Sequence, residues 1–260
     1  LHSFPTRRSS DLPVYEGGER TPGVIAIGET PRWQSRPSIH WLAETKRAAR
    51  WYLIGSDYVW PWQSHRAVKR YIKETGGTVV GEEFVPVGED DHAAQLERIR
   101  AAKPDVVLIS LIGTDSVTFN RAFAEAGLAR TILRYASCVD ETSLLGIGAD
   151  KTENLFCASG YFPSVGSHAG DDFRDRHRAM FGPFAPPIGS CGESAYEGFC
   201  LLEAAANRAG TLDIRPLLAA TDNLVYRSPR GSITVRNGHA RMPMYLAEAD
   251  GLDFRVIKAI

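Results

Sequence analysis

From Val24 to Tyr161 short runs of β-branched and aliphatic residues alternate with amphipathic segments. This is the feature that most restricts what the chain can fold into. The expected strands are Val24–Gly28, Trp51–Ser56, Gly77–Phe84, Val106–Ile112, Thr131–Ala136 and Leu155–Tyr161. Between them the apolar spacing predicts helices over Gln34–Ala48, Gln63–Thr75, Asp91–Ala102, Ser116–Ala126 and Asp140–Ile147. Parallel strands need a crossover, and a helix after each strand supplies one. Runs such as VVLISLI are near-continuously apolar, as expected when helices cover both faces of a sheet. The fold class is therefore α/β, with a doubly wound parallel sheet. Gly76-Gly77 and Lys103-Pro104 are expected to stop helices, and the acidic pairs Asp90-Asp91 and Asp171-Asp172 suit helix starts.

After Tyr161 the rhythm changes. Helices are expected over Asp171–Phe181, Glu193–Ala209 and Asp213–Ala220, the second with Tyr196, Phe199, Cys200 and Leu202 on one face. Short strands are expected at Gly231–Arg236, Met242–Ala249 and Phe254–Ile257. At the other end, LHSFPTRRSSDL has no helical or strand period and resembles the conceptual translation of a sequencing adapter. Residues 1–12 are therefore expected to be a non-native segment outside the fold.

Several function classes find no support. The 260 residues carry a formal net charge of −1 with acidic and basic residues interspersed, so no basic stripe for a nucleic acid is present. No apolar run approaches the ~20 residues of a membrane span. None of the four cysteines forms Cys-x-x-Cys, and none stands beside a histidine pair, so neither a metal nor a cofactor is expected. They read as free thiols. There is no G-x-S-x-G elbow and no phosphate-binding loop. Gly146-Ile147-Gly148 ends a helical pattern instead of following a strand, which makes it a helix stop. An enzyme is not expected.

Polar and aromatic residues do collect just past the strands. They are Ser56-Asp57-Tyr58-Val59-Trp60, Gly113-Thr114-Asp115, Ser137 and Tyr161-Phe162. Ligands of doubly wound sheets sit outside the carboxyl ends of strands, so these groups would hold a small polar ligand by hydrogen bonds and flat rings.

The same residues carry a family likeness. GSDYVWP, TGGTVVGEEFVPVGEDD, IRAAKPDVVLISLIGTDSVTF, ESAYEGFCLL and SPRGSITVRNGHARMPMYLAEADGLDF follow one another in an order that resembles the amide- and urea-binding branch of the type I periplasmic binding proteins. The resemblance implies two α/β lobes joined by three crossovers, with the first lobe incomplete. Its expected divisions are 13–50 (remnant of the first lobe), 51–162 (second lobe), 163–228 (return to the first) and 229–260 (hinge crossover and terminal strands). It implies binding of a short-chain amide, urea or related nitrogenous solute. The expected ligand-binding residues are Pro13, Ser56, Asp57, Tyr58, Trp60, Gly113, Thr114, Tyr161 and Glu193. Trp60 stands where relatives usually carry tyrosine. The implied partner is an ABC transporter permease and the implied place periplasmic or extracytoplasmic. A cytoplasmic sensor working through a regulatory protein is the alternative partnership, and an α/β enzyme the remaining one.

Overall fold

The computed structural model describes residues 23–260. Pro13 and the segment 1–12 lie outside the described residues. The larger unit is a seven-stranded sheet built from β1 (Arg50–Ser56), β2 (Thr78–Val85), β3 (Val106–Ser110), β4 (Leu133–Ala136), β5 (Leu155–Ser159), β9 (Tyr245–Asp250) and β10 (Asp253–Ala259). Its order is β10-β9-β5-β4-β3-β1-β2. The first five strands pair in parallel, and β9 and β10 add two antiparallel strands beyond β5.

Period-two alternation explains how one sheet supports two cores. Trp51 and Leu53 point to one face and pack with Ile39, Leu42, Val68, Tyr71, Phe156 and Leu246. Tyr52 and Ile54 point to the other and pack with Leu96, Phe119, Phe123, Phe162 and Phe254. The covering helices are α1 (Pro31–Thr45), α2 (Val59–Glu74), α3 (Ala93–Ala102), α4 (Gly113–Glu125) and α5 (Glu141–Ile147). The stops act as their chemistry requires. Lys103 closes α3 in the left-handed region, its N–H reaching the Ile99 carbonyl, and Gly148 closes α5 at φ 101°. The N-cap of α5 is Asp140, whose carboxylate accepts from Ser143 N at 3.0 Å.

The smaller unit holds α6 (His168–Phe181), α7 (Ser190–Ala209), α8 (Ile214–Ala220) and an antiparallel sheet of β6 (Val225–Ser228), β7 (Gly231–Arg236) and β8 (His239–Arg241). Its core is Leu201, Ala205, Leu224, Tyr226, Ile233 and Val235.

Three sequence expectations differ from the structure. Val24–Gly28 makes a single parallel bridge, Ala26 with His239, in place of a full strand. Residues 31–45, expected in a first-lobe remnant, form a helix in the core of the seven-stranded sheet, because Ile39 and Leu42 are wholly buried against Trp51 and Phe156. Strands β9 and β10 complete that same sheet, whereas β7 and β8 belong to the smaller one, so the division at 228/229 cuts through a paired hairpin.

The face of α7 also differs. Phe199 is 72% exposed, while Glu193, Glu197, Leu201 and Ala205 are buried. The four-residue spacing of these inward residues is helical, but half of them are charged, so apolar periodicity points to the wrong side.

Candidate functional site

Two clusters of polar residues stand where the chain changes direction. The first lies at the carboxyl ends of β1 and β3. The order β2-β1-β3 makes this the topological switch point, where crossovers leave in opposite directions and open a crevice. Ser56 ends β1 and is fully buried, its hydroxyl without a hydrogen-bond partner among the described residues. Ser110 ends β3 in the same condition. Ser110 is in register with Gly55, so the two orphaned hydroxyls leave neighbouring strands on opposite faces, and each is costly unless something outside the fold completes it.

Helix α2 starts directly over this edge, with Tyr58 as its N-cap. The tight turn depends on Gly55, where a Cβ would come within 2.8 Å of Pro61 Cβ. Tyr58 and Trp60 are half-buried, with ring centroids 6.3 Å apart and planes tilted by 31°. Asp57 is exposed and accepts from Trp62 Nε1 at 3.0 Å, so its carboxylate braces the aromatic turn. Across the crevice Gly113 opens α4 at φ 53° and Thr114 is exposed, while Asp115 accepts from Gly88 N at 2.8 Å and ties down the loop after β2. The structure thus gathers Ser56, Asp57, Tyr58, Trp60, Gly113 and Thr114 on one edge.

Tyr161 and Glu193 belong to the second cluster. The chain passes between the two units three times, at 28–30, at 159–161 and at 242–244. These passages meet around Glu29. Its Oε1 accepts from Gly160 N at 2.9 Å, Ser190 Oγ at 3.0 Å and Ser159 Oγ at 3.1 Å. Burial would raise the Glu29 pKa, but the Gly160 N–H and the Arg230 guanidinium 4.0 Å away outweigh it, and the carboxyl lies below its ordinary value. Arg230 Nε stands 2.6 Å from Glu193 Oε2 and 3.0 Å from Glu197 Oε2, and all three side chains are essentially fully buried. Neither contact is aligned as a hydrogen bond. Arg230 Nη2 donates to Ser194 Oγ at 2.7 Å, and Tyr226 donates to Glu197 at 2.8 Å. Desolvation pushes Glu193 up to about 8 in spite of Arg230, with Glu197 and Glu29 adding repulsion.

Tyr161 is buried and lines a cavity of about 110 Å³ with Pro229, Arg230 and Pro243. It therefore packs between crossovers, away from Tyr58. Burial raises its hydroxyl pKa, the neighbouring Arg174 opposing.

Sequence reasoning missed Glu29, Ser159, Ser190 and Arg230. Only the pair Glu193 and Glu197, four apart and so on one face of the expected helix, signalled that a buried cation would face them. Cys138 and Cys191 are exposed, Cys157 is buried with its thiol on the Val139 carbonyl, and all four thiols are free. Among the described residues no cluster of metal-binding side chains is present, and no helix is long and apolar enough to cross a membrane.

A doubly wound unit with a polar switch point is thus tied by three crossings to a second, smaller unit. The chain belongs to the periplasmic binding protein family, whose pattern it matches over residues 5–253. Solved structures of the same fold include a periplasmic binding protein from Burkholderia mallei, with a TM-score of 0.85 at 18% identity over 96% of this chain and 67% of that one. A solute binding protein of an ABC transporter from Rhodopseudomonas palustris HaA2, in complex with p-hydroxybenzoic acid, gives 0.82 at 22% identity, covering 91% and 66%. A leucine-, isoleucine-, valine-, threonine- and alanine-binding protein from Brucella ovis, in a closed conformation, gives 0.77 at 19%, covering 94% and 68%. The chain thus spans about two thirds of the length of these structures.

Proposed function

We propose that this chain is the solute-binding component of an ABC transporter, working outside the cytoplasm and delivering a small planar polar solute to a permease. The observation that carries the reading is the switch point. The orphaned Ser56 and Ser110 hydroxyls end the two strands between which the crossovers part, and the Tyr58–Trp60 ring pair follows directly after Ser56. Hydroxyls satisfy the edge of a planar solute and rings exclude water from its faces. Glu193 and Tyr161 serve the hinge in this reading, and the ligand set is Ser56, Tyr58, Trp60, Gly113 and Thr114, with Asp57 as a brace.

The order of motifs resembling the amide- and urea-binding branch supports a short-chain amide or urea as the solute. A second reading, an aromatic carboxylate, is favoured by the ring pair and by the p-hydroxybenzoic acid held by the Rhodopseudomonas relative. Calorimetric titration with acetamide, urea, 4-hydroxybenzoate and leucine separates the readings. Whichever solute binds, Tyr58→Ala should weaken it about tenfold or more, the value of one buried hydrogen bond with its ring contact, and leave the unliganded melting temperature within a degree or two. Unchanged affinity with lost stability would make Tyr58 a packing residue and overturn the site.

A further inference from the structure

A second cavity, of about 400 Å³, lies on the hinge itself. Its walls come from both units. Trp33, in the first turn of α1, and Met244 belong to the larger one. Arg236, His239, Arg241 and Met242 come from the β7–β8 hairpin and the third crossing. The volume falls in the range of small-ligand sites. This cavity is not the switch-point crevice. Met244 leads into β9, and four strand spacings separate β9 from β1 across the sheet, about 19 Å at 4.8 Å each.

The chemistry of its lining is specific. Arg236 and Arg241 are exposed at the rim, and among the described residues neither pairs with a carboxylate. The acidic residue in the same lining, Glu29, accepts through its Oε1 from Gly160, Ser159 and Ser190. Trp33 is 57% exposed, and the Arg32 guanidinium lies 5.5 Å from its ring. An indole face and two thioethers form an apolar floor beneath a rim of two guanidinium groups that no carboxylate pairs among the described residues.

The geometry points to a second ligand site in this cavity, taking a small aromatic carboxylate whose ring lies on Trp33 and whose carboxylate pairs with Arg236 and Arg241. Guanidinium forks match a carboxylate in a way that a neutral amide of the same shape cannot. Because the walls belong to both units, occupancy is linked to the angle between them, and such a ligand acts on the hinge without entering the crevice.

The test uses the full 260-residue chain and 4-fluorobenzoate, followed by fluorine NMR line broadening, with 4-fluorobenzamide as the neutral counterpart. Saturable binding of the benzoate is expected, with the benzamide roughly tenfold weaker. The double variant Arg236→Gln, Arg241→Gln should weaken the benzoate by a similar factor while melting like the parent, since both side chains are exposed. Tyr58→Ala should leave this binding in place. Absence of saturable binding, equal binding of acid and amide, or undiminished binding in the double variant overturns the site. Loss in Tyr58→Ala with retention in the arginine variant assigns the probe to the crevice and overturns it equally.

Discussion

Arg230 Nε lies 2.6 Å from Glu193 Oε2, and both side chains are almost wholly removed from solvent at the point where three passages of the chain meet. A guanidinium this deep recovers its desolvation cost only while the carboxyl groups that face it, Glu193 and Glu197, are present. Arg230→Met keeps most of the volume but leaves Glu193 and Glu197 facing each other without a cation. The expected loss is about 3 kcal/mol in urea unfolding, from the cost of breaking a buried pair. Adding Glu193→Gln and Glu197→Gln should restore most of it. An additive, uncorrected loss in the triple variant would show that packing, not charge, is what Arg230 supplies.

The same pair makes stability depend on pH. Burial holds the Glu193 carboxyl at about 8, above its ordinary value of 4.5. Between those two values the folded chain binds a proton that the unfolded chain has released, so this group's contribution to stability falls as pH rises from 4.5 towards 8 and is flat above it. Glu193→Gln, which mimics the protonated form, should flatten that decline and melt higher than the parent at pH 8. A steeper decline in the variant, followed by differential scanning calorimetry across the range, would contradict the assignment.

Glu82 acts with the opposite sign. His65, first, and Lys69 hold its carboxyl down to about 2, so its contribution is present above 4.5 and is lost as pH falls through that window. Glu82→Gln should therefore destabilise at neutral pH and make little difference near pH 2, measured by the same scans.

Gly55 allows α2 to begin immediately over β1. In Gly55→Ala the new methyl would come 2.8 Å from Pro61 Cβ and 3.2 Å from His65 Nε2. Overpacking of this kind costs about 1–3 kcal/mol. Because Pro61 sits one turn from Tyr58, the start of α2 should shift and ligand affinity fall together with stability. A destabilised variant with parental affinity would uncouple the turn from the crevice.

Much of the larger unit was legible because its signals are local. Continuous apolar runs gave the parallel strands, and Lys103, Gly148 and Asp140 gave helix ends through backbone chemistry confined to a few residues. The edge gathered by Ser56, Tyr58, Gly113 and Thr114 followed from strand ends alone. What was not legible depends on distant partners. The burial of Ile39 and Leu42 needs Phe156, the single bridge at Ala26 needs the Asn237-Gly238 turn, and the inward face of α7 needs Arg230, more than twenty residues later. A glutamate reads as surface until its cation is placed, and Glu29 carries no sign in its neighbours Gly28 and Thr30 that three crossings converge on it.

The pairing of Tyr245 with Ser159 has a kinetic consequence. Strand β9, followed by β10, completes a sheet whose five parallel strands end at Ser159, and the whole of residues 160–244 lies between the two partners. On a ribosome the sheet must wait, with the flank of β5 open, until the smaller unit has been synthesised and β9 emerges. Closing so long a loop slows the final pairing, so the last event in folding joins both units at once. A chaperone acting on this chain would meet an uncovered β5 edge, and the chain would reach its native state in a single late step instead of one unit at a time.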